Sequence, residues 1–351
     1  MPGDREMSDP ERRLPAERGV RHARPELGGG EATPSFEAMD GSQPGGEPMP
    51  DGRVPAAREA RRALSPTTIG GRVFGWGDRT FVMGIVNVTP DSFSGDGLLA
   101  SDGDGSAMVA RGGHVAPAVE QARRAAAEGA DLIDIGGEST RPGHEDVPVD
   151  VELRRIVPVV EAIHAAVPDL PISIDTTKPE VARAALDAGA AMLNDVWGVS
   201  PDLALARLAA ERGVPIVLMH NRAEARYDNV IVEVLAELEA AVERARNAGV
   251  QADSIIVDPG FGFGKAPRHN LELLANLATL RLLAAPILLG TSRKSTLGKV
   301  LDLPPEDRLE ATLATTALAV RAGIDIVRVH DVRPNVRTAR MADAVVRGGV
   351  G

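Results

Sequence analysis

The chain of 351 residues contains no cysteine. That excludes disulfides, thiolate metal sites and cysteine nucleophiles, and it suits a reducing cytoplasm. Aromatic residues make up only 3% of the chain. A core must therefore be assembled from Ala, Val, Leu and Ile, which the 43% hydrophobic content supplies. Excess positive charge is also missing. A formal net charge of -11 argues against general binding to nucleic acid or to an acidic membrane, while leaving room for a local cluster of cations around an anionic substrate. No apolar run is long enough to span a bilayer, and no signal-type hydrophobic segment opens the chain. The histidines show no metal-ligand spacing: His220, His269 and His330 are scattered, His22 lies near the N-terminus, and His114 and His164 are assigned to helix or loop surfaces.

Residues 1–65 differ in composition from the rest of the chain. They are rich in Pro, Gly, Glu and Arg, lack Ile, and hold Phe36 as their only aromatic. Such a stretch cannot bury enough apolar surface to offset its chain entropy, so it is expected to be disordered. Translation starting further in, at Met39 or Met49, is an alternative reading of the same composition. The folded domain is expected over residues 66–351.

From Thr68 onward, short apolar runs of strand length alternate with longer Ala-rich segments of helical character. The strand candidates are Val82–Val88, Asp131–Gly137, Pro171–Thr176, Met192–Val196, Pro215–His220, Ser254–Gly260, Pro286–Ser292 and Asp325–Asp331. Between them lie helical segments such as Val115–Ala127, Lys178–Ala188, Ile231–Ala248 and Arg308–Ala322. Continuous apolar strands separated by helices indicate parallel strands buried on both faces. Eight such units predict an α/β fold of one closed (β/α)8 TIM barrel. A doubly wound sheet is the competing architecture, but it calls for a phosphate fingerprint after the first strand, where this chain has Asn87.

Polar residues stand at the end of every candidate strand. These are Asn87, the run Gly136–Gly143, Asp175, Asn194-Asp195, His220, Asp258, Ser292-Arg293-Lys294, and Arg328 with His330 and Asp331. In a barrel these ends converge on one mouth, the face where active sites of such folds lie. Rigidly held carboxylates and an amide at Asp175, Asn194 and Asp258 could bind a metal or pair with a flat heterocycle carrying an amino group beside a ring N–H. Helix capping and a simple turn at Asp258-Pro259-Gly260 remain open for them. Arg141, Lys294, Arg328 and His330 bring cations to the same mouth of a net-acidic chain, which suits an anionic substrate. Glycines flank Glu138–Pro142, as a mobile covering loop requires. Gly260 to Lys265 has the look of a phosphate loop, but Pro259 and Ala266 stand where Gly and Ser or Thr are needed.

Taken together, these motifs resemble the dihydropteroate synthase family. Met83–Ser94 is similar to that family's first signature, and Asp134–Gly143 to its second. Ile174-Asp175-Thr176, Asn194-Asp195, Asp258–Lys265, Ser292-Arg293-Lys294-Ser295 and Arg328–Asp331 succeed one another in the family's order, over about residues 68–348. The resemblance implies that 6-hydroxymethyl-7,8-dihydropterin diphosphate and p-aminobenzoate are condensed to 7,8-dihydropteroate and diphosphate. It implies a pterin site of Asp175, Asn194, Asp258 and Lys294. The diphosphate would meet Asn87, Arg328 and His330, with Asn87 helping to ligate Mg²⁺. The p-aminobenzoate site would comprise Phe93, Thr140, Arg141, Pro142, Phe263 and Ser295. Catalytic roles would fall to Asp96, Thr140, Arg141 and Lys294. A cytoplasmic homodimer with small-molecule substrates, and neither nucleic acid nor membrane as partner, completes the expectation.

One departure stands out. The run Ser94-Gly95-Asp96-Gly97 holds one Gly more than the family's usual pattern and leads into a Gly- and Asp-rich stretch up to Gly113, which places the loop carboxylate at Asp96. Two other readings share the barrel: a pterin-binding methyltransferase domain, which has no need of a diphosphate site, and a non-catalytic pterin-binding paralogue.

Overall fold

The computed structural model describes residues 64–88, 112–138, 147–198 and 200–348. Residues 1–63 of the N-terminal region expected to be disordered, and the loops carrying Phe93, Asp96, Thr140, Arg141 and Pro142, lie outside the described residues.

A hairpin of β1 (Thr67–Ile69) and β2 (Arg72–Phe74) comes first. Eight barrel strands succeed it: β3 (Phe81–Asn87), β4 (Leu132–Gly136), β5 (Ile172–Asp175), β6 (Met192–Asp195), β7 (Ile216–Met219), β8 (Ile255–Asp258), β9 (Leu288–Leu289) and β10 (Ile326–Val329). They are parallel in the order β8-β7-β6-β5-β4-β3-β10-β9, and a parallel bridge from Val257 to Ile287 joins the two ends. All eight runs read from the sequence are barrel strands. The helices are α1 (Val115–Glu128), α2 (Val149–Ala166), α3 (Pro179–Asp187), α4 (Ala204–Arg212), α5 (Val230–Asn247), α6 (Pro267–Ala275), α7 (Ser295–Leu301), α8 (Leu309–Ala322) and α9 (Val332–Arg347).

The alternation of a strand explains how one barrel holds both a core and a polar pocket. Outward residues such as Ile133, Ile135, Ile174 and Leu193 pack against Ala-rich helix faces, including Ala118, Ala122, Ala182 and Ala185. Inward residues form layers. Near the strand starts, Met83, Leu132, Met192, Val217, Ile256, Leu288 and Ile326 fill the interior. Two residues further along these strands stand Ile85, Asp134, Asn194, Met219, Asp258, Gly290 and Arg328. The interior thus turns from apolar to charged within one step of the alternation.

The hairpin, which no run of apolar residues announced, packs with the lower layer. Ile69, Phe74 and Trp76 join Phe81 in that cluster, with ring centroids 4.8 Å apart for Phe74–Phe81 and 5.5 Å for Trp76–Phe81. The Trp76 indole donates to Thr67 Oγ1 at 3.0 Å, so its one polar atom is satisfied as it is buried. Burying a side chain such as Phe74 contributes about 1.5–3 kcal/mol. Phe74, Trp76 and Phe81 therefore have a definite use, closing the barrel end opposite the polar mouth.

His114 corrects an expectation. It is buried rather than on the surface, with Nε2 3.1 Å from the Arg155 carbonyl oxygen, and burial holds its pKa below the usual value. His164 is exposed as expected.

Candidate functional site

The charged inner layer lines a cavity of about 410 Å³, its open mouth included. Asp175, Asn194, Asp258, Phe263, Lys294, Arg328 and His330 all line it, together with Ile85, Val196, Met219, Phe261, Gly290 and Ser292. Strand register accounts for the meeting. Gly136 pairs with Asp175 and Asp175 with Asn194, while Met219 pairs with Asp258, so side chains far apart in the chain stand at one height.

Behind the cavity lining lies a residue that sequence reading missed. Asp134, fully buried on β4, accepts from Asn194 Nδ2 at 2.9 Å and from Arg328 Nε at 2.6 Å, both on Oδ2. Arg328 Nη2 also donates to Asp175 Oδ2 at 3.0 Å. One guanidinium thus spans two buried carboxylates. The other oxygens, Asp134 Oδ1 and Asp175 Oδ1, are buried without a hydrogen-bond partner. Orphaned acceptors of this kind are costly unless something else fills them, which suits a ligand rich in N–H donors. The clue in the sequence was an acid inside the apolar run Leu132-Ile133-Asp134-Ile135.

Electrostatics follow from burial. Desolvation and the neighbouring Asp134 raise the Asp175 carboxyl to about 7, against the pull of Arg328 and Lys294. Burial raises Asp258 to about 6, opposed by the hydrogen bond from the Gly260 amide to its Oδ1 at 2.7 Å and by Lys294, Lys265 and Arg328. Burial also raises Asp195 to about 6, but its Oδ1 accepts from the Trp197 amide at 2.9 Å and it does not line the cavity. Two carboxyls titrating near neutrality in one pocket are what a site for a heterocycle with several donors would contain.

Above the floor, Lys294 Nζ sits 3.6 Å from the centroid of the Phe263 ring, a cation–π contact. His330 is held by Ser292, whose Oγ lies 3.0 Å from His330 Nδ1 and accepts from its amide at 3.2 Å. Two predicted residues are not part of this lining. Asn87 ends β3 at the rim, with its Oδ1 beside the β4–β5 edge at Gly136. Ser295 opens α7 on an exposed position and borders a separate shallow pocket with Lys299, Asp302 and Arg308.

Among the described residues no group of three or more His, Asp or Glu side chains could hold a metal. A single amide oxygen at Asn87 is nevertheless an appropriate donor for Mg²⁺, which keeps several waters and usually takes few protein ligands beside substrate phosphates.

Comparison with known proteins agrees with this geometry. A family model described as pterin binding enzyme matches residues 83–330. The dihydropteroate synthase of Clostridium beijerinckii is 46% identical over 280 residues, which is 80% of this chain and 99% of that protein. A crystal structure of dihydropteroate synthase from Clostridium difficile in the presence of pteroic acid superposes with a TM-score of 0.72 at 45% identity, covering 78% of this chain and 99% of that one. The Xanthomonas albilineans enzyme with 4-aminobenzoic acid gives a TM-score of 0.72 at 43% identity, covering 81% and 98%.

Proposed function

The chain belongs to the pterin-binding enzyme family, and from that premise we propose that it performs the dihydropteroate synthase reaction in folate biosynthesis. It joins 6-hydroxymethyl-7,8-dihydropterin diphosphate to p-aminobenzoate, an alkyl transfer that releases diphosphate. One observation carries this reading: an orphaned carboxylate oxygen on Asp175 belongs to the lining of a cavity that also bears Asp258, Lys294, Arg328 and His330, with a second orphaned oxygen on Asp134 buried behind it.

A pterin ring presents an amino group beside ring N–H groups, and carboxylates accept from such a pair. Asp134, Asp175, Asn194 and Asp258 hold the ring, with Lys294 above it. The diphosphate then lies toward the mouth, where Asn87 and His330 face it and Arg328 adds positive charge from below. Asn87 would help hold Mg²⁺, which would supply charge neutralisation for the leaving group. The arylamine is neutral at pH 7 and attacks the exocyclic methylene. A C–N bond forms as the C–O bond to diphosphate breaks, and the nitrogen gives up its proton to the departing diphosphate or to water. No strong base is needed, so positioning and leaving-group stabilisation supply the rate. Phe93, Thr140, Arg141, Pro142, Phe263 and Ser295 meet p-aminobenzoate in this reading, and Asp96 joins Thr140, Arg141 and Lys294 in catalysis, by resemblance alone.

Purified protein with the pterin diphosphate, Mg²⁺ and p-aminobenzoate should yield 7,8-dihydropteroate, detected by mass. Tight binding of the pterin diphosphate without product would instead favour a non-catalytic pterin-binding paralogue.

Proton linkage supplies a second test. The raised pKa values of Asp175 and Asp258 mean that the folded protein holds these protons more firmly than the unfolded chain, where such groups titrate near 3.8. Their contribution to folding is complete below that value and is lost as pH rises through about 6 to 7. A donor-rich ring reverses the preference by favouring the ionised forms. Pterin binding at pH 6 is therefore expected to release about half a proton or more. Calorimetry in buffers of differing ionisation enthalpy measures this, and proton uptake, or no exchange at all, would contradict it.

No helix among the described residues is long and apolar enough to cross a membrane. A cytoplasmic homodimer is part of the same reading. Leu318 on α8, with Met341 and Val345 on α9, supports it: these helices pack together, and all three side chains are exposed.

A further inference from the structure

Lys265 has no place in the chemistry of the proposed reaction, and yet its amino group is buried. It lines neither the cavity nor the surface, being 9% exposed. Its Nζ donates to the Gly260 and Phe263 carbonyl oxygens, each at 3.1 Å, and to His220 Nδ1 at 2.9 Å. Burial, with Lys265 and Arg222 nearby, keeps the His220 imidazole neutral, so Nδ1 can accept. These hydrogen-bonded partners are neutral, and burial among them lowers the Lys265 pKa to about 7, against the pull of Asp258. A polar group taken from water to such a site is expensive unless its hydrogen bonds are made.

What the lysine closes is the turn after β8. Gly260 and Gly264 adopt φ of 68° and 52°, and a Cβ there would fall 1.8 Å from the His220 carbonyl oxygen and 2.3 Å from that of Arg222. Only glycine lets this turn lie so close to the end of β7. Three further bonds secure it. Tyr227 donates to the Gly264 carbonyl at 2.9 Å, the Gly262 amide donates to Asn270 Oδ1 at 2.8 Å, and the Phe263 amide to the Gly260 carbonyl at 3.1 Å. The turn delivers the Phe263 ring to Lys294 at the cavity wall.

We propose that Lys265 is a positioning residue for the p-aminobenzoate side of the pocket: the hydrogen bonds of its Nζ order residues 260–263 and thereby set Phe263 against Lys294. This rests on the function proposed above, in which Phe263 meets p-aminobenzoate. The pterin contacts on β4, β5 and β6 do not pass through this turn, whereas Asp258, bonded to the Gly260 amide, and Lys294, packed on Phe263, adjoin it.

The test compares Lys265→Met, similar in length but without donors, with Phe263→Ala and the double variant. In Lys265→Met, amides of residues 260–264 should exchange with deuterium at least about tenfold faster while the barrel strands keep wild-type protection. KM for p-aminobenzoate should rise about tenfold or more, with the Kd of the pterin diphosphate rising by a clearly smaller factor, through Asp258 and Lys294 alone. The double variant should match Phe263→Ala within about twofold, because the lysine acts through that ring. Unchanged exchange, equal losses for both substrates, or multiplicative effects in the double variant would overturn the proposal. If Lys265→Met does not fold, Lys265→Gln, which retains one donor group, takes its place. Failure of both to fold makes Lys265 a residue of the fold alone and also overturns the proposal. A wild-type protein without turnover counts against the proposed reaction, while the exchange measurement still decides whether Lys265 orders the turn.

Discussion

Arg328→Ala should lower the stability of the unliganded protein at pH 7 by about 3–5 kcal/mol, the usual cost of removing one partner from a buried ion cluster. Asp134 has no exposed surface and Asp175 little, and Arg328 is their shared counter-charge at 2.6 Å and 3.0 Å. Without it, two carboxylates face each other in a dry layer, and the protein responds by protonating one of them. The loss should therefore be smaller at pH 5 than at pH 8, since the raised carboxyl pKa climbs further in the variant and the folded state gains protons that the unfolded chain releases. Thermal unfolding at the two pH values measures the difference. The variant should also bind the pterin diphosphate more than about tenfold less tightly, from a lost charge-assisted bond of about 1.5–3 kcal/mol and a disordered floor. Wild-type melting temperature at pH 8 would show that the guanidinium is not what holds the two acids in place.

Asp258→Asn should spare the fold and impair the ligand. Asp258 Oδ1 accepts from the Gly260 amide at 2.7 Å, a bond that an Asn oxygen can also accept. That bond orients the new side chain and puts its NH₂ group in the place of Oδ2 on a residue that lines the cavity. A donor then opposes the donors of a pterin ring, and buried groups on both sides go unpaired. The cost is about 1–3 kcal/mol, and more where the carboxylate was ionised. Calorimetry with the pterin diphosphate should show at least about a fivefold loss, with an unfolding transition close to wild type. The proton released on wild-type binding near pH 6 should diminish in this variant, because the amide that replaces the carboxyl does not titrate. Wild-type affinity would remove Asp258 from the pterin site.

The candidate site is legible in outline from the chain. Asp175, Asn194, Asp258, Lys294, Arg328 and His330 all stand out as strand-end residues, and one cavity holds them. Strand ends are local features, and the rule that parallel strands present their C-terminal ends to one mouth does the rest. Asp134 escaped because it lies inside an apolar strand, one inward step below the rim. Its importance depends on Asn194 and Arg328, which are 60 and 194 residues away in the chain.

By itself the sequence determined the eight strands, since a strand buried on both faces must be apolar along its whole length, and it determined which chemistry caps each of them. The resemblance of its ordered motifs to one family was likewise a property of the chain alone. Tertiary structure decided the partnerships. It set one guanidinium between two acids, placed the β1–β2 hairpin under the barrel, buried His114, and brought Lys265 onto a histidine 45 residues earlier. The physical reason is range: periodicity and turn chemistry act over a few residues, whereas a buried charge is defined by what barrel closure brings against it.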